Sequence, residues 1–200
     1  MLVFGLTGPS GAGKSTVAEL FRSSGIPVLN ADEIYHRLLI PPSQCLNELT
    51  DAFGRQILSP DGTLNRRALA EIVFEDRAEL EKLNKIAHAH VIREVQRQLR
   101  VFRDSGYAAA VFDAPQLFES GADRACTAVI SVLADVNIRL HRILLRDNIT
   151  PEAAMKRIEA QKPDSFFRTH SDYIIENNSN PENLIPQVRR ILVETGVCEA

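Results

Sequence analysis

The sequence predicts an α/β fold, a parallel sheet covered by helices, and three observations carry that prediction. Short apolar runs at 2–7, 26–29, 107–113, 127–133 and 173–175 read as strands, separated by stretches whose apolar residues lie three or four apart. The first run leads directly into a glycine-rich turn and then into a helical pattern. Between the second and third runs lies a block of roughly 70 residues with helical spacing and no convincing strand, which reads as an all-helical insertion. With 200 residues and 44% hydrophobic content, the chain can bury a sizeable core as one domain with subdomains.

Leu2-Val3-Phe4-Gly5-Leu6-Thr7 is short and apolar, as a buried strand is. Gly8-Pro9-Ser10-Gly11-Ala12-Gly13-Lys14-Ser15-Thr16 follows and fits the template G-x-x-x-x-G-K-[ST] at every fixed position. Val17 to Phe21 then starts a helix that ends before Gly25. Glycines let such a turn wrap a phosphate with successive N–H groups pointing inward, and the following helix dipole presents its positive end there. Gly8, Gly11, Ala12, Gly13, Lys14, Ser15 and Thr16 are therefore the candidate donor-binding set of a protein that takes a nucleoside triphosphate. Lys14 supplies a mobile cation for the terminal phosphates, and the Ser15 hydroxyl is placed to bind magnesium. The competing reading is a chance glycine-rich turn, which must match every fixed position and both flanks.

The second strand, Ile26-Pro27-Val28-Leu29, ends at Asn30-Ala31-Asp32, and polar residues past a strand's carboxyl end sit where open α/β sheets bind ligands. Leu38-Leu39-Ile40 stops at Pro41-Pro42, Leu46, Leu49 and Phe53 have helical spacing, Ser59-Pro60-Asp61-Gly62 is a turn, and Leu69, Ile72 and Val73 mark another helix. The longest helix places Leu80, Leu83, Ala87, Val91, Val95, Leu99 and Phe102 on one face. Tyr107 to Asp113 is a strand ending in a carboxylate, and Thr127 to Leu133, unbroken by charge, is a central strand. Ile138 to Leu145 and Pro151 to Gln161 are helical, the second capped by Thr150; Tyr173-Ile174-Ile175 is a last strand and Pro181 to Val193 a closing helix. Helical insertion between strands two and three is how small-molecule kinases build an acceptor lobe. The expected single kinase domain, 1–200, divides into a core (1–30, 104–137, 170–200), an acceptor lobe (31–103) and a lid (138–169).

A net charge of −3 gives no global case for nucleic acid or an anionic membrane as partner. Cys45, Cys126 and Cys198 are widely spaced and odd in number, so neither a metal site nor a disulfide framework is implied and a cytoplasmic location is the default expectation. The first strand occupies the N-terminus, so no signal peptide is expected, and no apolar run is long enough to span a bilayer.

Phosphoryl transfer needs in-line positioning, magnesium and positive charge around the moving group. Asp113 is a candidate magnesium carboxylate; as an alternative it caps the following turn. Asp32, past strand two on the acceptor side of the crevice, is the candidate base for an attacking hydroxyl, or else the N-cap of a helix starting at Glu33. Arg142 and Arg146 share a helix face and suit a lid that closes on phosphates, or form a solvated basic face. His88 and His90 point different ways and do not share a metal; position 88 lies nearer the apolar face. Asn84-Lys85-Ile86-Ala87 lacks the acid that guanine recognition needs.

These residues together resemble the dephospho-coenzyme A kinase family almost end to end. Gly5-Leu6-Thr7-Gly8 looks like its opening, Asn30-Ala31-Asp32 is similar to its Asp-Ala-Asp, and Phe53-Gly54 with Asp61-Gly62-x-Leu64-x-Arg66-x-x-Leu69-x-x-x-Val73-Phe74 looks like its substrate-lobe signature. Leu83-Asn84-x-Ile86-x-His88, Asp113-Ala114-Pro115-Gln116-Leu117-Phe118-Glu119, Arg142-x-x-x-Arg146-Asp147 with Gln161, and Asp172-x-x-Ile175-x-Asn177 match further motifs. The chain departs at Pro9-Ser10 (usually Gly-Ile), Asn30 (an acid), Ala89 (proline) and Gln116 (leucine), which leaves Asp32 as the one carboxylate of its pair. The resemblance implies a five-stranded sheet in the order 2-3-1-4-5 and transfer from ATP, with Mg2+, to the ribose 3′-hydroxyl of dephospho-coenzyme A. Asp32 would be the base, Lys14 the phosphate clamp, Ser15 and Asp113 the magnesium ligands, and Arg142 and Arg146 the transition-state cations. Arg66 and His88 would hold the acceptor, with Asn177 near the donor adenine. Rival expectations are a kinase of another small acceptor, such as a nucleoside monophosphate, and a nucleotide-gated binding protein without catalysis.

Overall fold

A computed structural model describes residues 1–199. Five strands form one sheet in the order β2-β3-β1-β4-β5: β1 (Leu2–Thr7), β2 (Val28–Asn30), β3 (Ala109–Asp113), β4 (Ala128–Leu133) and β5 (Tyr173–Glu176). β1 pairs in parallel with both β3 and β4, and β4 with β5. The middle strand is thus β1, with β4 interior beside it; absence of charge in β4 marks burial rather than the centre.

The backbone divides into two compact units, 1–29 with 102–200, and 30–101. In the first, alternation along the strands sends Phe4, Leu6, Val111, Ile130, Val132 and Ile175 to one face. There they meet Val17, Ala18 and Phe21 of α1 (Lys14–Ser23) and Leu184, Val188, Ile191 and Leu192 of α9 (Leu184–Glu194). On the other face a Cβ at Gly5 would lie 2.7 Å from Leu117 and 2.9 Å from Cys126, so position 5 has room for glycine alone. The same burial pushes the Cys126 thiol up to about 12. The expected closing helix begins three residues later than predicted, because Pro181–Asn183 forms a separate 3-10 turn.

α6 (Val136–Asp147) and α7 (Pro151–Glu159) share a small core of Ile143, Ala154 and Ile158. α8 (Asp164–His170) was not anticipated from the sequence: it is one short helix after Pro163, and aromatic packing supports it. Phe166 lies edge-on to Phe118 at 5.3 Å, and Phe167 to Phe166 at 5.6 Å.

The second unit is helical: α2 (Ala31–Leu38), α3 (Gln44–Phe53), α4 (Arg66–Glu75) and most of α5 (Arg77–Asp104). Cys45, Leu49, Phe53, Ile57, Leu69 and Val73 form its core. Asparagine and serine side chains open α2, α3 and α4, with Asn30, Ser43 and Asn65 each accepting a backbone N–H. The turn at 59–62 closes as expected, Gly62 N–H donating to the Ser59 carbonyl at 2.9 Å. No helix among the described residues is long and apolar enough to cross a membrane.

Candidate active site

The phosphate loop links β1 to α1, whose helix begins at Lys14, so Lys14, Ser15 and Thr16 form its first turn. Gly8, Gly11 and Gly13 all have positive φ. At Gly11, with φ 79°, a Cβ would sit 2.7 Å from the Arg139 carbonyl, so only glycine allows this approach of loop to α6. The N–H groups of Gly11, Gly13, Lys14 and Ser15 have no acceptor among the described residues, whereas those of Ser10, Ala12 and Thr16 do. Four free donors at the head of a ten-residue helix make an anion cradle.

The carbonyl side of the loop is held just as definitely. Arg139 Nε donates to the Ser10 carbonyl at 3.0 Å. Arg142 Nη1 reaches the carbonyls of Gly11 and Ala12 at 3.3 Å each, and the Asn177 amide donates to the Ala12 carbonyl at 2.7 Å. Arg142 Nη2 also donates to the Asn177 carbonyl and side-chain oxygen, at 3.1 and 3.2 Å. The Gln161 side-chain oxygen accepts from both Ser10 N–H (3.1 Å) and Arg139 Nη2 (2.9 Å). Arg139 is 3% exposed; burial draws its guanidinium below the ordinary arginine value, and Asp164 at 3.6 Å opposes that shift.

Asp113 closes β3, is 2% exposed, and accepts a charged hydrogen bond from Lys14 Nζ. The Lys14 ammonium at the head of α1 thus has a buried carboxylate for a partner. The Ser15 hydroxyl is exposed and makes no hydrogen bond to a described residue.

Two expected placements change. Asn177, expected near the donor adenine, is 4% exposed with its amide engaged on the loop, so it holds the loop. Arg142, expected with Arg146 as a transition-state cation of the lid, is fastened to three backbone carbonyls. Arg146 is the more open of the pair, bound to Asp147 through Nε at 2.7 Å and touching the Ser10 hydroxyl at 3.3 Å. Asp147 also accepts from Arg157; the Arg146 hydrogen bonds, with those of Arg157, hold its carboxyl down to about 2. Arg139 is the residue that sequence reasoning passed over. Its signal was present, because 139, 142 and 146 at spacings of three and four share one face.

In the helical unit, Asp32 is exposed in the first turn of α2. It does not cap that helix: Asn30 does, its Oδ1 accepting from Glu33 N–H at 3.0 Å. Capping therefore no longer accounts for an aspartate at position 32. Arg66 opens α4 and is exposed. His88 is half-buried; the histidine on the apolar side is His90, bonded to Glu48 at 2.6 Å, since 90 falls in line with Leu83 and Ala87.

A family model for dephospho-CoA kinase matches residues 2–183. The chain is 37% identical over 194 residues to the dephospho-CoA kinase of Corynebacterium glutamicum, covering 97% of each. A crystal structure from Thermus thermophilus superposes with a TM-score of 0.82 at 31% identity, covering 96% of this chain and 97% of that one. The dephospho-CoA kinase of Campylobacter jejuni gives 0.70 at 26% identity, covering 96% of both. A phosphate cradle on a five-stranded sheet, a helical unit after β2, and likeness along nearly the whole length lead to one assignment: the chain belongs to the dephospho-CoA kinase family.

Proposed function

We propose that the chain transfers the γ-phosphoryl group of ATP to the ribose 3′-hydroxyl of dephospho-coenzyme A, giving ADP and coenzyme A. The observation that carries this reading is the set of four unengaged loop N–H groups beside Lys14, in a chain that matches dephospho-CoA kinases throughout. The cradle binds the donor phosphates, and Lys14 leaves Asp113 for them as the nucleotide arrives. Asp32 takes the proton of the 3′-hydroxyl; that oxygen bonds to the γ-phosphorus as the β–γ bridging P–O bond breaks and ADP departs with its electrons. An exposed carboxylate with no capping duty supports this role for Asp32. Arg146 faces the moving charge, Arg142 and Asn177 set the loop beneath it, and Arg66 and His88 hold the acceptor.

Magnesium fits the donor set: a free serine hydroxyl and a carboxylate are hard oxygen ligands, and this ion takes few protein ligands beside phosphates and water. Ser15 and Asp113 would hold it, and it would neutralise charge on the donor's β- and γ-oxygens. Residues 138–169 are proposed to act as the lid, anchored at Arg139 and Gln161.

The test is to incubate the protein with ATP, magnesium and a panel of acceptors, and to locate the new phosphate by phosphorus NMR. Dephospho-coenzyme A should be phosphorylated at the 3′ position, and ATP should outperform GTP. Preferential transfer to a nucleoside monophosphate would replace this reading with its rival.

A further inference from the structure

The helical unit holds a second feature that Asp32, Arg66 and His88 leave unused. An open cavity of about 480 Å3 lies between the carboxyl end of α2, the turn after it, and the middle of α5. That volume is in the range of small-ligand sites. Its wall carries four arginines, Arg37 from α2 and Arg93, Arg97 and Arg100 from α5, the last three spaced to share one helix face.

Charge there is unbalanced. The one acid on the wall, Glu94, is taken up: Arg97 donates to it through Nε and Nη2 at 2.8 Å each, and the Gln98 amide adds a bond at 2.7 Å. Those Arg97 bonds hold the Glu94 carboxyl below its ordinary range, with Arg37 adding to the effect. His90, also on the wall, is committed to Glu48. Arg37, Arg93 and Arg100 make no hydrogen bond or ion pair with any described residue. Three unmatched guanidinium groups thus share one hollow in a protein whose net charge is −3. Like charges on one helix face repel, and an anion between them removes that cost. Planar forks of N–H donors match phosphate oxygens two at a time, which a lone ammonium cannot do.

We propose that this cavity binds a phosphorylated small molecule through a diphosphate-like group. Two sources share that chemistry. One is the diphosphate of dephospho-coenzyme A itself, which rests on the function proposed above; the other is a separate phosphorylated ligand.

The experiment titrates inorganic pyrophosphate into the full chain by calorimetry, with a non-hydrolysable ATP analogue saturating the phosphate loop. Three proteins are compared: the parent, R93Q/R100Q, and R67Q/R77Q. The last removes equal charge from exposed positions of the same unit that already pair with Glu71 and Glu81. Arg93 and Arg100 are exposed, so R93Q/R100Q should melt as the parent does. R93Q/R100Q should weaken pyrophosphate binding by about tenfold or more, while the control leaves it unchanged. Absence of pyrophosphate binding to the parent, or equal weakening in both variants, overturns the proposal. Steady-state kinetics then assigns the source. A matching rise in KM for dephospho-coenzyme A, with kcat and the KM for ATP constant, identifies the acceptor's diphosphate; an unchanged KM identifies a separate ligand. A chain that failed to phosphorylate dephospho-coenzyme A would refute the proposed function and leave the pyrophosphate arm intact.

Discussion

The phosphate loop and the first turn of α2 both follow a strand of the same sheet, yet they are held in opposite ways. In the loop, the carbonyls of Ser10, Gly11 and Ala12 are each taken by Arg139, Arg142 or Asn177, and the donor-facing N–H groups are left open. At α2, one cap bond from Asn30 fixes the backbone, and Asp32 projects into solvent. The difference teaches that the donor half is preorganised by its own scaffold. On the proposed function, the acceptor half would supply side chains such as Asp32 whose partners arrive with the ligand. Preorganised dipoles need no rearrangement as charge develops, which is where electrostatic catalysis gains most.

Asp32→Asn should separate the halves most sharply. Loss of the proton acceptor should lower kcat by about 10²–10⁴-fold. Melting and ATP affinity should stay at parent values, because Asn30 retains the cap; a near-parent rate would remove Asp32 from the mechanism. Lys14→Ala comes next, with a rate loss of about 10²–10³-fold. Unlike Asp32→Asn it should also lower the stability of the fold, since the buried Asp113 carboxylate loses the Lys14 ammonium. Denaturant melts of K14A and K14A/D113N check this: the double variant should regain stability while remaining inactive.

Arg139→Gln should loosen the loop without touching the acceptor side. We expect a loss of about 1–3 kcal/mol in stability and a raised KM for ATP, with the KM for dephospho-coenzyme A constant. A change confined to the acceptor constant would show that the loop does not depend on this arginine. The smallest effect concerns pH. Asp147 has a folded value of about 2 against an ordinary 3.8, so its contribution is fully present above the ordinary value and is lost as pH falls through about 2. Corrected for the intrinsic pH dependence of amide exchange, hydrogen exchange in α6 and α7 should therefore be flat from neutral pH down to about 5 and quicken only below about 4. Quickening near pH 6 would point to a histidine instead.

Much of this was legible in the sequence because it is local. The loop's glycines, its lysine and its flanking strand and helix occupy adjacent positions, and Thr150 sits directly ahead of the helix it caps. What was not legible depends on contacts distant along the chain. Asn177 meets Ala12 across 165 residues, and α8 owes its support to Phe118. The cap at α2 was misplaced by two residues, because Asn30 and Asp32 are both good caps and the strand end decides between them. His90 was overlooked in favour of His88, since two positions apart on a helix a small phase error exchanges the buried and open faces.

The arginines under the loop do more than fix its shape. Each carbonyl they hold shares a peptide unit with the N–H of the following residue. Ser10 C=O is conjugated to Gly11 N–H, and Ala12 C=O to Gly13 N–H, and both of those N–H groups are open to the donor. A cation on the oxygen draws electron density through the amide and leaves the hydrogen more positive, and chained hydrogen bonds strengthen one another by roughly 10–30% per bond. On the proposed function, Arg139 and Arg142 would therefore lend positive charge to the phosphates through the peptide group itself, as remote electron-withdrawing substituents on the open N–H donors.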